Sequence, residues 1–161
     1  MKRNARILYE QNLDDFGHLD DDQIMGLTIY AEARGEPRKG RIAVGTVILN
    51  RAENRKWDGE TILETCLWPY QFSCYNLDDP NRPMLKRIAE DWDFHFAKSK
   101  PLQDCYTVAR GLIAGTIARD KDLENVCQYL NPKDAAEAKE KWLKSGMELV
   151  KVVGNHEFFR G

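Results

Sequence analysis

At 161 residues, 42% hydrophobic and 31% charged, the chain has the composition of one globular domain with a real core. A net charge of −2 gives no electrostatic basis for binding nucleic acid or an anionic membrane surface, and no apolar run approaches membrane-spanning length. Cys66, Cys74, Cys105 and Cys127 lack paired CxxC spacing and a cysteine–histidine cluster, so reduced, partly buried thiols are the default, with two disulfides permitted by the even count but not demanded, and neither metal nor other cofactor is expected.

Residues 1–18 are the least informative stretch. Lys2, Arg3 and Arg6 make them locally basic, and they are expected to form an N-terminal arm, either packed on the domain or mobile. The apolar run that follows, Ile7-Leu8-Tyr9, is too short for a signal-peptide core. A helix is then well marked. Asp20 suits the N-cap with Gln23 as capping-box partner, and Leu19 and Ile24 stand where a hydrophobic staple places them. Ile24, Leu27, Thr28 and Ala31 form one apolar stripe, while Gly35 and Pro37 supply the stop. Glu32 falls roughly 80° from the centre of that stripe, at the border of the core. Partial desolvation there raises a carboxyl pKa toward the range a general acid needs. Arg34, two residues on, does not face it along a helix. The alternative is a helix-end carboxylate held by backbone or by an arginine, the commoner role for such groups.

Residues 38–52 read as a second helix, with Ile42, Gly45, Leu49 and Ala52 on one face and Val44, Val47 and Ile48 widening the apolar surface. Such a helix should be central, with Gly45 allowing a close neighbour. Thr61 to Leu67 predicts a short helix ending before Pro69. The segment Tyr70-Gln71-Phe72-Ser73-Cys74-Tyr75-Asn76 mixes aromatic rings with neutral hydrogen-bonding groups, which suits a sugar site. It equally suits a loop whose Phe72 plugs the core. Helices are expected over 84–98, with His95 packing near its end, and over 101–119, where Gly111 and Gly115 would permit tight helix packing. Val126 to Leu130 reads as a strand, Ala135 to Ser145 as a helix, and Leu149 to Val153 as a strand turning through Gly154-Asn155 into His156 to Phe159. The fold class expected is α+β, mostly α: a helical body with a small antiparallel β-sheet near the C-terminus. A cleft between them, as in lysozyme-like and transglycosylase-like enzymes, is an analogy.

Four segments in order carry a family resemblance. Residues 29–50 (IYAEARGEPRKGRIAVGTVILN) resemble the opening motif of the spore cortex-lytic enzymes, bacterial and phage cell-wall hydrolases. Gln71-Phe72-Ser73-Cys74, Tyr129-Leu130-Asn131-Pro132 and Gly154-Asn155-His156-Glu157-Phe158-Phe159 resemble its later motifs. The resemblance implies peptidoglycan glycan strands as substrate, Glu32 as the catalytic acid, and Gln71, Phe72, Ser73, Tyr129, Asn131, His156 and Glu36 as candidates for gripping substrate or orienting Glu32. Gln128 departs from the histidine that the family commonly carries before the tyrosine.

Glycosidases normally pair two carboxylates, and Glu36 is the nearest second acid, its direction left open by the intervening glycine. A lytic transglycosylase manages with one, because the attacking hydroxyl belongs to the muramic acid itself, and this is the expected activity. Hydrolytic muramidase and N-acetylmuramoyl-L-alanine amidase are the alternatives, the latter weakened by three scattered histidines, His18, His95 and His156. A non-enzymatic wall-binding protein keeping the fold is a third. The sequence further suggests a single catalytic domain over 1–161 and a monomer without membrane insertion. It is expected to be synthesised in the host cytoplasm without a signal peptide and to act on the cell wall. This is the pattern of a phage endolysin released through a holin.

Overall fold

Asp20 caps the helix that carries Glu32 as its chemistry requires: its carboxylate accepts from the Gln23 N–H at 2.7 Å while the Gln23 side chain accepts from the Asp20 N–H at 3.0 Å. The structure, a computed structural model, describes residues 1–54 and 56–161. In chain order the helices are α1 (Arg3–Phe16), α2 (Asp21–Ala33), α3 (Arg38–Glu53), α4 (Ile62–Leu67), α5 (Arg82–Glu90), α6 (Trp92–Lys98), α7 (Lys100–Ala114) and α8 (Ala136–Lys144). Short 3-10 turns span Ser73–Tyr75 and Lys121–Leu123. Strands β1 (Gln128–Leu130), β2 (Glu148–Val153) and β3 (His156–Arg160) form one antiparallel sheet in the order β1-β3-β2. The result is a mostly helical body with a small antiparallel sheet near the C-terminus.

The centre of the body is α2. Ile24, Met25, Leu27, Thr28 and Ile29 are all fully buried, so this helix is covered nearly all round and its apolar surface is wider than one stripe. It packs most extensively on α7 and also on α3 and α4. Gly45 of α3 makes that packing possible: a Cβ there would come within 3.3 Å of Ile29 and Met25 and closer still to Leu112. Thr28 adds a polar tie, its hydroxyl 2.7 Å from the Tyr75 hydroxyl.

The N-terminal arm is a packed helix. Its Leu8, Asn12 and Phe16 are buried at four-residue spacing, and the ring of Tyr9 lies 4.7 Å from that of Trp68. Asn12 donates to the Leu67 carbonyl at 2.9 Å and accepts from Arg82 at 2.6 Å; Arg82 also donates to the Tyr75 carbonyl and pairs with Asp15 at 2.8 Å. The polar Asn12 inside the buried stripe is what hides this helix from apolar periodicity.

Two expected helices are shorter than the pattern suggests. The 84–98 stretch breaks at Asp91, whose φ of −141° is not helical, giving α5 and α6. The 101–119 stretch stops at Ala114 because Gly115 adopts φ 80°; it is a left-handed cap, not a packing contact. At the earlier stop, Gly35 has no positive φ, and Arg34 ends α2 with its N–H donating to the Tyr30 carbonyl. The four cysteines are buried and free. Among the described residues no helix is long and apolar enough to cross a membrane.

Candidate active site

The last turn of α2, the 70–73 loop, β1 with the loop after it, and the start of β3 enclose a cleft of about 480 Å³. Glu32, Gln71, Phe72, Ser73, Tyr129, Asn131 and His156 all line it. Their convergence follows from the sheet order: β3 sits between the other strands, pairing Tyr129 with Phe158 and bringing the Tyr129 ring edge-on to His156 at 5.1 Å. The hairpin of β2 and β3 was legible as a local pattern. Its pairing with β1, which completes the wall, was not.

Glu32 is partly open to the cleft yet densely surrounded by protein. Burial pushes its pKa up to about 7; Arg51 and the hydrogen-bonding Tyr129 hydroxyl pull downward, and Asp79 pushes further up. Arg34 takes no part. It folds back over the Tyr30 ring at 5.0 Å and donates to the Tyr30 carbonyl at 3.2 Å.

Arg51, near the end of α3, is the most deeply tied of the cleft residues that sequence reasoning missed. Its Nε donates to the Cys127 carbonyl and its Nη1 to the Gln71 carbonyl, both at 2.7 Å. Its guanidinium lies over Trp57 at 4.4 Å and over Phe72 at 4.7 Å. One buried cation thus ties together the segments that carry Gln71 and Tyr129 and stands near the acid. Its signal was weak: an arginine closing a strongly apolar helix. Tyr70, Asn81 and Asp134 also line the cleft.

Phe72 plugs the core, as one of the two sequence readings has it, and also lines the cleft. It is 3% exposed and packed beneath Arg51. The Gln71 side-chain oxygen is buried without a partner among the described residues, and Ser73 is exposed. Asn131 caps its own turn, accepting from the Lys133 N–H at 3.0 Å.

Glu36, grouped above with the substrate-gripping residues, is absent from the cleft lining. It is buried under the β2–β3 turn, accepting from the Asn155 N–H at 3.1 Å, with His156 Nδ1 at 3.8 Å. Gly154 permits this: its φ is 58°, and a Cβ there would collide with the Glu36 carboxylate. Burial lowers the pKa of His156 while Glu36 opposes that shift, so the imidazole is mainly neutral at neutral pH. His18 bonds the Ala89 carbonyl at 2.7 Å, and His95 packs edge-on to Phe94. Among the described residues no group of three histidine, cysteine or acidic side chains is arranged to hold a metal ion.

A family model described as Cell Wall Hydrolase matches residues 35–159, beginning just after Glu32. A spore cortex-lytic enzyme of Halalkalibacterium halodurans is 56% identical over 36 residues, 22% of this chain and 11% of that protein. One from Oceanobacillus iheyensis is 56% identical over 32 residues, 20% of this chain and 12% of that protein. The matched segments thus span about a ninth of each curated relative. Among solved structures, the catalytic domain of the germination-specific lytic transglycosylase SleB from Bacillus anthracis aligns with a TM-score of 0.62 and 25% identity, covering 89% of this chain and 98% of that domain. The catalytic domain of the Bacillus cereus SleB protein aligns with a TM-score of 0.54 and 26% identity, covering 87% and 89%.

Proposed function

The chain belongs to the cell wall hydrolase family, and from that premise we propose that it cleaves peptidoglycan glycan strands as a lytic transglycosylase with Glu32 as its acid and base. The observation that carries this reading is the state of Glu32: a carboxyl at a cleft wall whose pKa of about 7 keeps a large fraction protonated at neutral pH.

In the first half-reaction Glu32 gives its proton to the oxygen joining the muramic acid anomeric carbon to the next sugar, and that bond breaks. The leaving sugar departs with a free hydroxyl. Glu32, now a carboxylate, takes the proton from the C6 hydroxyl of the same muramic acid, and that oxygen bonds to the anomeric carbon. The product ends in a 1,6-anhydro ring, no water is consumed, and Glu32 finishes protonated. Holding the nucleophile on the substrate itself supplies the positioning that a second carboxylate otherwise provides.

Around the acid, the Tyr129 hydroxyl is suited to steady the carboxylate form between the two proton transfers, and Arg51 to stabilise that charge. Gln71, Ser73 and Asn131 offer amide and hydroxyl groups to N-acetyl and hydroxyl substituents. His156 packs on the Tyr129 ring, holding the hydroxyl in place. Glu36 supports this arrangement from behind, by fixing the turn that leads into His156.

A hydrolytic muramidase needs a second acid, and Asp134 is the other carboxylate on the cleft wall. One experiment separates the routes. Purified peptidoglycan digested by the protein should release fragments one water lighter than hydrolysed ends, and Glu32→Gln should fold normally while losing lysis by about a thousandfold or more. Fragments with only reducing, hydrolysed ends would reject transglycosylation; undiminished lysis by Glu32→Gln would reject the acid.

A further inference from the structure

Tyr70 is a surface residue with an unusual backbone. It follows Pro69 in a left-handed conformation, φ 65°, which costs free energy for a bulky side chain, and the residue is 65% exposed. That conformation turns an aromatic face outward instead of into the core. The ring borders three cavities at once: the cleft holding Glu32, a groove of about 430 Å³ between α1 and the 76–78 loop, and a third hollow of about 390 Å³ against Lys2, Arg3 and Asn4. The groove is lined by Asn4 and Ile7 on one side and Asn76, Leu77 and Asp78 on the other. Ile7 is 48% exposed and Leu77 55%, so both are apolar side chains presented to solvent.

We infer that this groove is a second binding region for the substrate, taking the part of a peptidoglycan strand that leaves the cleft, with Tyr70 as the platform between the two. The inference rests on the reading that the cleft takes peptidoglycan. Its occupant follows from continuity and chemistry. A polymer bound at Glu32 must exit across a neighbouring surface, and on this side that surface begins with the Tyr70 ring. Apolar side chains beside amides suit sugar rings, whose faces are apolar and whose edges carry hydroxyl and N-acetyl groups. Lys2 and Arg3 add positive charge where the acidic stem peptides of the strand would hang. The wall is also firm: the tilted contact of the Tyr9 ring with Trp68 and the Asn12–Arg82–Asp15 network hold α1 in place, so binding orders little new chain.

The test measures binding in a Glu32→Gln background, where cleavage is off, using a stem-free tetrasaccharide and long stem-bearing strands. Ile7→Gln with Leu77→Asn changes only exposed side chains. It should weaken long-strand binding about fivefold and leave tetrasaccharide binding unchanged. Lys2→Gln with Arg3→Gln should weaken binding of stem-bearing strands about threefold at low salt and have no effect on strands stripped of stems. The inference is overturned if the groove variant binds long strands as tightly as its parent, or if the parent binds them no more tightly than the tetrasaccharide. Length-dependent binding in a protein that never cleaves would strike the transglycosylase reading and leave the groove standing.

Discussion

Glu32, the proposed acid, carries a stability cost from the burial that raises its pKa. Its folded pKa of about 7 exceeds the ordinary 4.5, so the folded state holds the proton more tightly than the unfolded one. Stability from this group is therefore complete below pH 4.5 and is lost as pH rises toward 7, by about 3 kcal/mol in total. Urea melts of Glu32→Gln should lack this slope, so the variant gains on its parent between pH 4 and pH 8 by up to about that amount. A parent and variant with parallel pH dependence would show that the carboxyl is not dehydrated. On the proposed mechanism catalysis follows the same titration, since its first proton transfer needs the acid form, so the rate should fall above about pH 7. Arg51 opposes the raised value, so Arg51→Gln should move that alkaline limb to higher pH. The same change strips donors from the Cys127 and Gln71 carbonyls and should cost about 3 kcal/mol of stability. The position of Glu32 at the core border was legible because helical phase fixes where it points, whereas its role as an acid came from the family resemblance alone. Arg51 was not legible, because its partners lie 20 and 76 residues away in the chain.

At the scale of elements, local signals located the cores of most helices and strands, and distant contacts decided their ends. The Asp20–Gln23 box and the Gly154-Asn155 turn are both contained within a few residues, and both form as their sequences imply. The break at Asp91, by contrast, interrupts a stretch whose apolar spacing runs straight through it. The direction of Glu36 was equally hidden, since its partner Asn155 is 119 residues away. That contact predicts a coupling between hairpin and cleft. Gly154→Ala faces both a left-handed backbone and the Glu36 carboxylate, so it should cost about 2 kcal/mol and raise KM by displacing the strand that carries His156. A variant with unaltered melting and kinetics would show that the turn and the cleft are independent.

For the whole molecule, α1 packs into the same core although the matched family region begins only at residue 35. Its buried Asn12 serves Leu67 and Arg82 at once, so Asn12→Ala should destabilise the entire domain by about 3 kcal/mol in a single cooperative transition. A separate early transition for α1 would contradict that. Sequence pattern conveyed the overall architecture because most of the body is built from short-range helical repeats, whereas the α1 contacts depend on polar groups that periodicity does not register. The buried thiols carry a last consequence. Burial pushes Cys66 up to about 12 and Cys105 up to about 11, and raises Cys74 and Cys127 as well, so scarcely any nucleophilic sulfur exists near neutral pH. All four thiols are free and buried, so they should react slowly with alkylating agents while the fold holds and at ordinary thiol rates once it is unfolded.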